Sequence, residues 1–425
     1  MKKRFLFSLL FPATIFAKSF LISSIPIPKT YIQDIDPYPC DEACMQEYID
    51  NEMIFSFLSR ATSKLENPML DEVRMTHIAL LNLGSTSMIS DRLKIALLLP
   101  DKIIGRYAAS TTNATFSYLL ARNHSFELKS YQINTQSYED IKAALKKIED
   151  DGFYYIIAPL TQEGADVIAE LRPTSNIYFP TINKKSAKSE NPFLFYGGID
   201  YRAQSDLLLK EAFSPLVIFH DSSILGIEMT NYEEKSFKFT QLIEPVNSVE
   251  MGGSLSQTLV EDTSKKVIKY AITNTTTNLE KRLKENEDIK EASFFLNTPI
   301  VKSGMVMSQL TLYDALPLNI LSTQINYDPL LFSMTQYEDR KNMIIANSIT
   351  EHNNILIEVN SLLGNDIIYD WINYTTTVGL DYFYYLITNE NREFDIEMQN
   401  NQMNYKIELL RPSLTKFMHY TPRSE

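Results

Sequence analysis

Between residues 94 and 183, short apolar runs alternate with stretches of helical spacing. Lys94-Ile-Ala-Leu-Leu-Leu-Pro100, Phe153-Tyr-Tyr-Ile-Ile-Ala-Pro159 and Asn176-Ile-Tyr-Phe-Pro-Thr-Ile-Asn183 are the runs. Short, nearly continuous apolar runs of this kind predict strands buried on both faces. A further strand is predicted over residues 126–133, where apolar and polar positions alternate. Between the strands, Tyr107, Thr111, Ala114 and Tyr118 follow helical spacing. Ser137-Tyr-Glu-Asp140 resembles a capping box, and Ile141, Ala144, Leu145 and Ile148 supply the buried face behind it. A helix over 162–172 is stopped by Pro173. Strand and helix in alternation predict an α/β fold with a parallel sheet, whose ligand crevice lies beyond the carboxyl ends of the strands.

A second series of units starts near Gly197. Strands are predicted over 215–220, 267–273, 292–297 and 318–323, the last leading back to the first lobe. Helices fall over 279–286 and 303–310, and residues 329–390 read as mostly helical. From Asn401 the tail alternates as one strand, with Met403, Tyr405, Ile407 and Leu409 on one face. The chain is too long for a single compact core. The expected division is lobe 1 over 91–198 with 325–395 returning to it, and lobe 2 over 199–324 with 396–420.

Ahead of the α/β body the pattern changes. Lys2, Lys3 and Arg4 precede an apolar stretch from Phe5 to Phe16 that is too short to span a bilayer, so residues 1–17 read as an export signal with Ala17 last. Residues 18–90 are expected to form an extended arm and a helical hairpin. The first helix runs from Asp41 with Cys44, Tyr48, Phe55 and Leu58 on one face. The second starts at Asn67-Pro68 and ends at Gly84, with Leu70, Val73, His77, Leu80 and Leu81 as its apolar stripe. The two cysteines, Cys40 and Cys44, stand one helical turn apart. That spacing puts their Cα atoms about 6 Å apart, within disulfide reach, and export makes a disulfide the natural reading.

The formal net charge of −13 becomes −16 once Lys2, Lys3 and Arg4 are removed, which argues against nucleic acid as a partner. Twelve glycines give no phosphate-cradling loop. The five histidines are scattered without metal-ligand pairing, there is no G-x-S-x-G elbow, and the α/β body holds no cysteine nucleophile. His220-Asp221, at a predicted strand end, is the one pair an enzyme could use. The expectation is a non-catalytic protein with neither metal nor cofactor.

The order and spacing of these runs resemble the type I periplasmic binding proteins, two-lobed receptors of amino acids and sugars. The run from Lys94 looks like that family's opening strand. Residues 153–160 look like its "iiGP" strand with Ala158 where Gly is usual, and Phe179-Pro-Thr-Ile-Asn183 looks like its "vPvls" strand. Ile218-Phe-His-Asp-Ser-Ser resembles the first strand of lobe 2. Ala-Pro-Leu160 followed by Pro-Thr-Ile-Asn183 also resembles the lipoprotein activators of penicillin-binding proteins. The resemblance implies a ligand site built from Thr161, Gln162, Thr181 and Asn183 in lobe 1, from Asp221, Ser222, Asn297 and Thr298 in lobe 2, and from Tyr196 and Tyr201 at the entry to lobe 2. Tyr and Asp suit an ammonium group. The same Thr, Ser, Asn and Asp residues also suit helix capping. Glu163 stands where an anion would arrive. This departure favours a periplasmic interaction or regulatory module of the cell envelope, with an envelope protein as partner. The alternative is a solute receptor that closes on an amino acid or short peptide.

Overall fold

The computed structural model describes residues 32, 38–80, 93–122, 124–187, 189–242 and 258–421. The expected export signal, most of the arm, and Leu81 and Gly84 lie outside the described residues. The N-terminal helices form one compact unit and the α/β body another.

Among the described residues, the N-terminal unit contains three helices where the sequence predicts two: Glu42–Asp50, Ile54–Arg60 and Pro68–Leu80. The expected first helix breaks at Asn51-Glu52-Met53, where Glu52 takes a positive φ of 59°. That break rotates Phe55 out to 61% exposure while Phe57 and Leu58 are buried. Asp41 caps the first helix by accepting from the Cys44 N–H, and Cys40 and Cys44 form a disulfide with their Cα atoms 5.4 Å apart. Glu42 ties this start to the third helix, its Oε1 accepting from the N–H groups of Glu66 and Asn67. His77 is half-buried in the third helix.

In the body, lobe 1 is built on β1 (Leu93–Leu99), β2 (Phe126–Gln132), β3 (Tyr155–Ile157), β4 (Asn176–Phe179) and β5 (Leu194–Tyr196). Lobe 2 is built on β6 (Leu216–His220), a hairpin of β7 (Phe239–Leu242) and β8 (Thr258–Glu261), then β9 (Val267–Ala271), β10 (Ser293–Asn297), β11 (Asn319–Ser322) and β12 (Met343–Asn347). Four short strands finish the chain: β13 (Met398–Gln399), β14 (Gln402–Met403), β15 (Glu408–Pro412) and β16 (Phe417–His419). The first sheet runs β13-β14-β5-β4-β3-β1-β2 and the second β16-β15-β12-β11-β10-β6-β9. Their five-strand parallel cores share one order, second-first-third-fourth-fifth, each with its topological switch beside the opening strand.

The apolar runs become strands because helices cover both faces of each sheet. In β1 all residues but Lys94 are buried. Behind it, Ile141, Leu145 and Ile148 of helix Tyr138–Asp150 join the core with Ile156, Ile177 and Phe179. Ser137 caps that helix through the Asp140 N–H. The Asp140 carboxylate bonds Thr135 instead of returning to Ser137, so the box is open on one side. The long helix Trp371–Thr388 packs on the first sheet, where the Tyr178 hydroxyl donates to the Thr375 carbonyl and Phe383 meets the rings of Tyr155 and Phe195. Gly379 is required there, since a Cβ would fall 2.0 Å from the Tyr178 ring.

The chain crosses between lobes over 197–200, after β12, and over 404–407. Two of these crossings differ from the sequence pattern. β11, expected as the last strand of lobe 2 before the return, lies in the second sheet but is followed there by β12. Residues 325–347 therefore stay with the second sheet, and the return comes only after Asn347. The tail is not one strand. Its alternation is divided between β14, paired with β5 in the first sheet, and β15, paired antiparallel with β12 in the second. Gly198 sits at the first crossing, where a Cβ would lie 2.4 Å from the Ile182 carbonyl carbon. Gln402 joins the first and third crossings by donating to the Gly198 carbonyl and accepting from the Lys184 N–H.

Candidate functional site

Both switch points open onto one cleft of about 790 Å³. Lobe 1 contributes the loops after β1, β3 and β4, with Ile104, Arg106, Tyr107, Thr161, Gln162, Thr181 and Asn183. Lobe 2 contributes Leu225, Pro299, Ile300 and the segment from Gln324 to Pro329. Tyr201 enters from the first crossing, and Asp366, Tyr369, Asp370 and Trp371 come from the start of the long helix.

Five of the ten residues expected at the site are here: Thr161, Gln162, Thr181, Asn183 and Tyr201. The lobe 1 set is held by internal bonds. The Thr161 N–H and hydroxyl both donate to Gln136 Oε1 at 3.1 Å, while its Oγ1 caps helix Gln162–Leu171. The Gln162 amide donates to Asp166, the Thr181 hydroxyl to the Leu160 carbonyl, and the Asn183 amide to the Gly198 carbonyl. Glu163 is exposed in the first turn of the same helix.

The other five fall elsewhere. Tyr196 belongs to the lobe 1 core, 2% exposed and packed at 5.4 Å on the Phe179 ring, because the β5 pleat turns it away from the cleft. Asp221 folds back onto the turn before helix Ile224–Lys238, its Oδ1 accepting from the Ser223 N–H and hydroxyl. Ser222 is exposed outside the cleft lining. Asn297 is buried with its amide on Glu233 Oε2 and Thr230, and Thr298 is buried against Ser303 at 2.7 Å. The His220-Asp221 pair does not assemble, since the imidazole Nδ1 meets the Asp221 backbone carbonyl rather than its carboxylate.

The residues that sequence reasoning missed give the cleft its chemistry. Asp370 caps helix Trp371–Thr388, its Oδ1 accepting from the N–H groups of Ile372 and Asn373. Asp366 Oδ1 likewise accepts from Ile368 and Tyr369. Burial holds the Asp370 carboxyl above its usual range, Asp366 adds to this, and the two backbone N–H groups and Arg106 oppose it. Trp371, the single tryptophan of the chain, meets Tyr201 edge-on at 6.2 Å. Tyr327 stacks obliquely with Tyr369 at 5.1 Å. The Arg106 guanidinium lies 5.2 Å over the Tyr107 ring.

Gln324 closes the inner end. It is 3% exposed; its Oε1 accepts from the Ser348 N–H at 2.6 Å and its own N–H donates to Gln204, yet its Nε2 has no hydrogen-bond partner. Among the described residues, no group of three or more His, Cys, Asp or Glu is placed to hold a metal ion, and no helix is long and apolar enough to cross a membrane.

No family model matches the sequence, and no curated protein does. Solved structures do resemble it. A branched-chain amino acid ABC transporter protein of Rhodospirillum rubrum superposes with a TM-score of 0.55 at 9% identity, over 77% of this chain and all of that one. LivJ of Streptococcus pneumoniae, a substrate-binding protein solved with isoleucine, gives 0.53 at 8%, over 77% of this chain and 98% of its own. A solute-binding protein of R. palustris solved with 4-hydroxybenzoate gives 0.51 at 11%, over 78% of this chain and 96% of its own. The body has the type I periplasmic binding-protein fold. At these identities the likeness establishes fold, as the sequence motifs imply, and leaves the ligand to the cleft itself.

Proposed function

We propose that this protein is an exported solute receptor whose two lobes close on a small ligand, without catalysis. One observation carries the reading: the interlobe cleft is open, and polar and aromatic groups from both lobes converge on it. Tyr196 does not plug it, and Tyr201 and Trp371 form its wall. The lips support closure. Tyr107 on lobe 1 (37% exposed) and Leu225 on lobe 2 (39%) line the cleft and are uncovered. Contact between the lips would bury them at about 25 cal/mol per Å². A ligand that binds the closed arrangement better shifts the population toward it. The proposed compartment is the periplasm, reached through residues 1–17 and compatible with the Cys40–Cys44 disulfide.

The test is a thermal-shift screen of the chain from residue 18 onward against amines, amino acids, aromatic acids and sugars, followed by small-angle scattering. A true ligand raises the melting temperature and shrinks the radius of gyration. Absence of any shift across the four classes removes the reading. A second reading, docking to an envelope protein, draws on the N-terminal unit, where Phe55, Met69 and Met75 are exposed. Its test is retention of an envelope partner that is lost when residues 18–90 are deleted.

A further inference from the structure

Resting on that receptor reading, we propose that the ligand is an organic cation, an amine or quaternary ammonium compound carrying an oxygen acceptor. Its charged group would sit against Asp366 and Asp370 and the rings of Tyr201 and Trp371, with the oxygen meeting Gln324.

The lobe 1 side chains that could receive a carboxylate already donate to Gln136, Asp166, Leu160 and Gly198. Acceptors are in the opposite position. Asp366 and Asp370 each use Oδ1 for backbone N–H groups, and among the described residues no bond engages either Oδ2. With Asp328, the lining carries three carboxylates against one guanidinium, and that guanidinium is exposed on the lip over Tyr107. A cation would gain an ion pair and the negative ring faces at once. Gln324 is an independent sign of a ligand. Its Oε1 is fixed as acceptor by the Ser348 N–H, so among the described residues the buried Nε2 is a donor without an acceptor, and a ligand oxygen is the partner proposed for it. Both the choice of charge and the acceptor requirement come from these bonds rather than from the lobe 1 loops on which a zwitterion-binding site would depend.

Trp371, being the only tryptophan, reports on the site directly. The experiment titrates the protein with choline and with 3,3-dimethylbutan-1-ol, which has the same shape without the charge, and with phenethylamine and benzoate, following Trp371 emission and calorimetric heat. The expected result is saturable binding of one or both cations, with the neutral and anionic partners at least about tenfold weaker. The double variant Asp366→Asn/Asp370→Asn should abolish the preference. Asn caps helices as well as Asp, and a circular dichroism melt checks that the fold is retained. Trp371→Leu should weaken the cation by about tenfold. Binding of benzoate or isoleucine with both amines silent overturns the cation assignment and leaves the receptor reading standing. Equal binding of choline by wild type and by the folded double variant overturns the assignment to Asp366 and Asp370. Silence of the amines together with every acid and sugar of the wider screen removes both readings.

Discussion

The two lobes are built to one strand order but spend their strand-end polar residues differently. Lobe 1 sets Thr161, Gln162, Thr181 and Asn183 along the cleft, while lobe 2 folds Asn297 and Thr298 into its own interior. Each lobe also encloses a buried carboxyl, and the contrast is repeated there. Asp381 in lobe 1 meets Arg392 at 3.1 Å, the Tyr118 hydroxyl at 2.8 Å, and the N–H groups of Glu393 and Phe394. Among the described residues, Glu233 in lobe 2 has only the Ser205 hydroxyl and the Asn297 amide. The same sequence signal, a small polar residue after a strand, thus serves a crevice in one lobe and a buried acid in the other. What decides is whether a buried group nearby needs a partner.

The sharpest way to break this contrast is to remove the compensated carboxyl. Asp381→Ala removes the carboxylate partner of the Arg392 guanidinium, which is 17% exposed, and an acceptor of a buried phenol and two N–H groups. Loss of one member of a buried ion pair costs about 3 to 5 kcal/mol. A fall in the urea midpoint of that size is expected, and a change below about 1 kcal/mol would show that lobe 1 tolerates an uncompensated charge after all. Asp381→Asn should fall between, since it keeps an acceptor but not the charge.

Lobe 2 should respond to pH through its buried acid. Burial pushes the Glu233 carboxyl from 4.5 up to about 8, with the bonds from Asn297 and Ser205 opposing. Between those values the folded chain holds a proton that the unfolded chain has released. Folding stability therefore falls as pH rises from about 4.5 to about 8. Glu233→Gln removes the titrating group, so its stability should fall less than that of the wild type across the window and exceed wild type at pH 8. Parallel pH profiles of the two proteins, read by thermal melting, would refute the assignment.

How far such features were legible depends on what periodicity can encode. β1, β3, β4 and β6 are legible because burial on both faces leaves continuous apolar runs, as in Leu97-Leu98-Leu99, and β2 because it alternates, whereas β5 is not predicted as a strand. β12, Met343–Asn347, falls inside residues 329–390, whose spacing reads as mostly helical. The tail alternated correctly, but alternation does not say that β14 and β15 belong to different sheets. At the site, Thr161 and Thr181 were found because they directly follow recognisable strands. Asp370 and Trp371 were missed because nearly 200 residues separate them from those loops, and only the fold brings them together. A cap residue followed by the sole tryptophan was the available signal. Tyr196 shows the converse error: an aromatic at a strand end is a binding residue or a core residue according to one step of the pleat.

A smaller test sets the lobes side by side with one chemical change. Thr298→Val and Thr181→Val each replace a hydroxyl by a methyl of similar size. In lobe 2 the change removes the bond between Thr298 and Ser303 in a fully buried place, although Ser303 keeps its donation to the Thr298 carbonyl. In lobe 1 it removes the donation to Leu160 at a partly exposed position, where water can substitute. Thr298→Val should cost about 1 kcal/mol of stability and leave ligand affinity unchanged. Thr181→Val should cost less than about 0.5 kcal/mol and alter affinity, because its side chain borders the cleft. The reverse pattern, with affinity sensitive to Thr298 and stability to Thr181, would mean that lobe 2 opens its interior to the ligand, and the division of labour drawn between the lobes would then have to be exchanged.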